Sequence, residues 1–145
     1  MVGLARAGDA DGDVVGAAVV RGLDQRILRA DAMSTTVRDL VRGIQAEMLK
    51  GNVTPLRAAD CTVQLAALLG NCSAEIVVAN HDYSVVRRTL FRSLGTASAA
   101  KIEGEATDEF KRKAEAEAVK GDVQELINAL KAFGRVATAE MNMSR

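Results

Sequence analysis

The sequence predicts an all-α fold, two helical hairpins with a long C-terminal helix and coiled-coil-like packing, and three observations carry that expectation. The segment from 96 to 143 is rich in Ala, Glu and Lys, has no proline, and repeats apolar residues mostly in steps of three or four. Upstream, apolar runs of the same period are punctuated by Gly51-Asn52, Gly70-Asn71 and Gly95, residue types that end helices in left-handed backbone. Aromatic residues make up only 3% of the chain and much of its hydrophobic content is alanine, which favours helices in close contact over a β core.

With 145 residues the chain is one domain or a domain with a tail. Nineteen basic and nineteen acidic residues cancel, so no global field draws it to nucleic acid or an anionic membrane, and only local patches remain for phosphate. Two cysteines and one histidine are too few for a disulfide scaffold or a complete zinc site, and a reduced cytoplasmic setting is the simplest reading. The apolar stretch 14–20 follows Asp9, Asp11 and Asp13 where a signal peptide wants a basic flank, and no uninterrupted apolar run of bilayer length is apparent. No membrane is expected.

Residues 1–32 stand apart, with five of the twelve glycines and five Asp against four Arg. They read either as a flexible tail carrying a short helix through Val19, Leu23 and Ile27, or as a start-site extension ahead of a natural start at Met33. Residues 33–145 are expected to be a single helical domain, with a short hairpin over 33–71 and a long one over 73–143. In the short hairpin, Thr36 caps a helix lined by Val37, Leu40, Val41, Ile44 and Met48 that stops at Gly51. Thr54-Pro55 opens the second, whose inner face is read as Leu56, Ala59, Val63, Ala66 and Leu69, widened by Leu65 and Leu68 and ended by Gly70-Asn71. Ser73 starts a third helix through Ile76, Tyr83, Val86 and Leu90 to Gly95; the spacing favours helix over a strand at 76–78. The last helix is read as continuous, with a rival break at Gly121-Asp122, where Glu125 completes a capping box and leaves helices over 98–120 and 123–140.

No constellation specifies a reaction. Asp9, Asp11 and Asp13 resemble the opening of a calcium loop, but Val14 and Val20 stand where that loop needs glycine and glutamate. Cys61, Cys72 and His81 match no metal spacing and read as buried thiols and a solvated histidine. The expectation is therefore no catalytic residue, no metal, no cofactor and no small-molecule substrate. Two basic knots, Arg87, Arg88 and Arg92, then Lys111, Arg112 and Lys113, are the candidate nucleic-acid contacts, with Tyr83 or Phe91 to stack a base. Against them, acidic residues three or four positions away pair along the helix surface at about 0.2 to 0.5 kcal/mol each. The stripe Val119, Val123, Leu126, Leu130, Phe133 and Ala137 is either a self-association seam or an intramolecular core. A helix of about 40 residues would run roughly 60 Å and overrun a short hairpin beside it, which favours a homo-oligomer.

Tyr83, the joint Ser98-Ala99-Ala100-Lys101-Ile102-Glu103, the alternation Ala114-Glu115-Ala116-Glu117-Ala118, and Leu126-Ile127-Asn128-Ala129-Leu130-Lys131 together resemble small helical proteins of uncharacterised function from tailed bacteriophages and prophages. The resemblance covers residues 73–143, about half of the chain. It implies a phage or prophage origin, a helical hairpin and no activity, and residues 1–32 have no counterpart in it. The expected function is a non-enzymatic protein acting by protein–protein interaction in the host cytoplasm, self-associating or bound to a protein partner. The alternative is an accessory nucleic-acid binder in phage replication, recombination or packaging.

Overall fold

A computed structural model of the chain describes residues 35–144, and over these it is all-α. The first helix, α1, is already under way at Thr35 and continues to residue 49, so Thr36 lies inside it and is not its cap. Its inner face is the expected one, with Val37, Val41 and Ile44 buried and Leu40 and Met48 packed at their edge. Gly51 ends it at φ 71°: its amide donates to the Met48 carbonyl at 3.1 Å and that of Asn52 to Glu47 at 3.3 Å.

Thr54 and Pro55 start α2, Pro55–Leu94, and the Thr54 hydroxyl accepts from the Arg57 amide at 3.2 Å. Gly70-Asn71 does not end this helix, so the segments expected as separate helices over 54–70 and 73–94 are one of 40 residues. The reason is tertiary. A helix-interior glycine costs about 1 kcal/mol, whereas Ala58, Cys61, Leu65, Cys72, Ala79 and Tyr83 continue a single buried face past Gly70.

Gly95, at φ 76°, turns the chain, and its amide donates to the Phe91 carbonyl at 2.9 Å. Thr96 caps the short α3, Ala97–Glu105. The second turn is at Ala106-Thr107, upstream of Gly121. There the Thr107 hydroxyl donates to the Gly104 carbonyl at 2.6 Å and caps the Phe110 amide at 3.4 Å. Asp108 and Glu109 follow in the first turn of α4, Asp108–Met143, where the helix dipole favours negative charge. The continuous helix expected from 96 is thus divided, but at the threonine; Gly121 sits within an unbroken α4.

The short α3 folds α4 back antiparallel along α2, and α1 lies over the end remote from that turn. Val37 and Ile44 of α1, Cys61 and Leu65 of α2, and Val123 and Leu130 of α4 belong to one core cluster. With about 60 Å in α2 and 54 Å in α4, the two long helices match, and the surplus length that argued for a partner chain disappears.

Candidate functional site

Three places on this frame carry chemistry. The first is the α2–α4 seam. Arg112 of α4 reaches Glu75 and Asp82, which lie seven residues apart on one side of α2. Its side chain is 14% exposed, so it belongs to the fold and not to a phosphate-binding surface. Its neighbours in the second basic knot are also engaged: Lys111 pairs with Asp108 at 3.2 Å, and Lys113 pairs with Glu117 at 4.0 Å while lying 5.4 Å from the centre of the Tyr83 ring. Tyr83 is 6% exposed and tilted against Phe110 at 5.3 Å between centroids, which removes it as a platform for a base.

The second place is the α2 end of the hairpin tip. Arg87, Arg88 and Arg92 are exposed there, and Arg88 and Arg92 form no ion pair among the described residues. Phe91 is half exposed, and with Ser84, Arg87, Arg88, Ala97 and Ala100 it lines an open hollow of about 260 Å³. Of the six basic residues expected to meet nucleic acid, the structure leaves Arg88 and Arg92 available, sets Arg87 5.9 Å from the centre of the Tyr83 ring, and holds Arg112 inside the seam.

The third is the outer face of α2. The face expected to be inward is in part the outward one: Leu56 and Val63 are 74% and 70% exposed, and Ala59 and Ala66 are exposed with them, while Ala58, Cys61, Leu65 and Cys72 point inward. Helical period could not separate the two faces, because both are apolar. The signal for the true inner face was the seven-residue recurrence of Ala58, Leu65, Cys72 and Ala79. Between Cys61 and Asn80 the sole charged residue is Glu75, turned to Arg112, so the exposed side of that stretch carries no charge. The stretch also makes α2 long and apolar enough to cross a membrane by length and composition, where no such helix was expected.

The α4 stripe, by contrast, is core. Val119, Val123, Leu126 and Leu130 are buried against α1 and α2, Phe133 packs partly buried beside them, and Ala137 is half-buried. Cys61 and Cys72 are buried free thiols, and burial pushes the Cys72 thiol above its ordinary range. His81 is exposed on α2. Asp9, Asp11 and Asp13 lie outside the described residues.

Comparison with protein-family models, curated proteins and solved structures finds no match to the chain.

Proposed function

We propose that the protein is a non-enzymatic helical interaction protein that self-associates and works by presenting the outer face of α2. The observation that carries this reading is the apolar strip from Leu56 to Val85, exposed on a helix whose other face already fills the core. Exposed apolar surface of this extent marks an interaction site. The α2–α4 seam is read as coiled-coil-like, because Ala116, Val119, Val123, Leu126 and Leu130 recur in alternating steps of three and four. The phage or prophage origin, and with it the host cytoplasm, rests on the resemblance of residues 73–143.

Light scattering of the full chain over a range of concentrations tests self-association: a rising mass is expected, and a monomer throughout removes it. The exposed Arg88, Arg92 and Phe91 support a second reading, accessory nucleic-acid binding at the hairpin tip. Affinity for single- and double-stranded DNA that falls steeply with salt, and falls again in an Arg88→Ala/Arg92→Ala variant, supports it; no binding at low salt eliminates it.

A further inference from the structure

We infer that the outer face of α2 binds the same face of a second copy, antiparallel, with the two-fold axis at Gly70; the inference rests on the self-association proposed above. Gly70 is exposed at the middle of the strip from Leu56 to Val85, and a Cβ there would meet nothing within 4 Å, so no contact inside the chain requires a glycine. A glycine at the crossing point of two helices lets their backbones approach closely.

The pattern on either side of Gly70 is self-complementary. With Gly70 opposite its own copy, Val63 faces Val77 and Ala67 faces Ala74 of the second copy. One turn further out Asp60 faces His81, an acceptor against a donor, and beyond them Leu56 faces Val85. All of these residues are exposed in the single chain. A two-fold axis generates each pairing twice, as an isologous interface requires. No like charges meet. A parallel arrangement would set Asp60 against Asp60 and lose the match.

The strip is about 45 Å long and about 10 Å wide, so each copy covers roughly 500 Å², short of the ~800 Å² per partner of a standard interface. A reversible dimer with a micromolar dissociation constant is the expected strength. A bilayer-spanning placement of α2 does not fit, because α4, packed along its other side, carries Lys111, Glu115, Glu117, Lys120, Asp122 and Glu125 and would have to enter the hydrocarbon with it.

The test is sedimentation of the full chain and of two variants. The wild type is expected to show a concentration-dependent monomer–dimer equilibrium. Gly70→Leu should weaken it at least tenfold while leaving the unfolding midpoint unchanged or higher, since the space at residue 70 is open. Under mild oxidation Gly70→Cys should give a covalent dimer and Val63→Cys should not, because two antiparallel copies hold residue 63 about 20 Å from its mate. The native thiols are buried, and the wild type controls for them. A dimer indifferent to Gly70→Leu, or cross-linked through residue 63, overturns this interface while leaving self-association in place. A monomer at every concentration overturns both, as does a chain that stays monomeric in solution and co-sediments with phosphatidylcholine–phosphatidylglycerol vesicles.

Discussion

Arg112 and Glu75 are joined across the α2–α4 seam by two hydrogen bonds to one carboxylate oxygen, 2.7 Å from Nη2 and 3.1 Å from Nε. The remaining arm, Nη1, holds Asp82 at 2.9 Å, so one guanidinium bridges two carboxylates. Side-chain exposures of 14%, 17% and 27% keep all three largely out of water. Arg112→Met leaves two carboxylates facing each other without a counter-charge and should lower stability by about 2 to 4 kcal/mol in chemical denaturation. Replacing all three by apolar residues, Glu75→Leu, Asp82→Leu and Arg112→Met, should cost much less, because no charge is then stranded.

Gly104 and Gly121 are both helical glycines, and substitution should move stability in opposite directions. A Cβ on Gly104 would lie 3.3 Å from Tyr83 Cε2 and 3.3 Å from Arg87 Cγ. Arg87 can move aside; the Tyr83 ring is held by Phe110 and Lys113. Gly104→Val should therefore destabilise by about 1 to 3 kcal/mol through overpacking. At Gly121 nothing lies within 4 Å, and Gly121→Ala should stabilise by roughly 0.5 to 1 kcal/mol. Thermal unfolding of the two variants reads both signs.

Arg57 clasps Glu47 with Nε at 3.0 Å and Nη2 at 2.9 Å, joining the last turn of α1 to the first of α2. The hydrogen bonds from Arg57 hold the Glu47 carboxyl below the ordinary glutamate range. A carboxylate whose folded pKa is depressed binds fewer protons folded than unfolded. Its contribution is complete above the ordinary range and is lost as pH falls through the folded pKa. The wild type should thus lose stability on acidification more steeply than Glu47→Gln, measured as the difference between their denaturation midpoints from neutral pH downward.

Cys72 has the opposite sense. Burial raises its thiol, so the folded chain keeps a proton that the unfolded chain releases, and the associated stability is lost as pH rises through the thiol range. Native protein at neutral pH should react slowly with a thiol reagent at both cysteines, and unfolding should release two equivalents, read by absorbance.

A threonine was only a partial sign of where a helix begins, since Thr36 reads as a cap and lies inside α1. Thr54-Pro55 was read correctly, and Thr96 and Thr107 act by the same rule. Thr107 went unread because the stripe of apolar residues runs across it. Glycine was the less dependable sign. Gly51 and Gly95 adopt positive φ and stop their helices, while Gly70, Gly121 and Gly134 lie within helices. The candidate sites divide in the same way. Arg88 and Arg92 are as free as their composition suggested, whereas Arg112 has two partners 30 and 37 residues away that no local spacing reveals.

By itself the sequence determined the helical class, the inner face of α1 and the core-forming period of α4, all of which follow from local propensity and periodicity, while the residue type alone pointed to the burial of Cys61 and Cys72. Tertiary structure decided that α2 runs unbroken for 40 residues, which of its two apolar faces turns inward, and that the α4 stripe closes on its own chain. The physical reason is the same in each case. A glycine's local penalty of about 1 kcal/mol is small beside the packing of a long helix along its neighbour, and that neighbour is too distant in sequence to be read from any one segment.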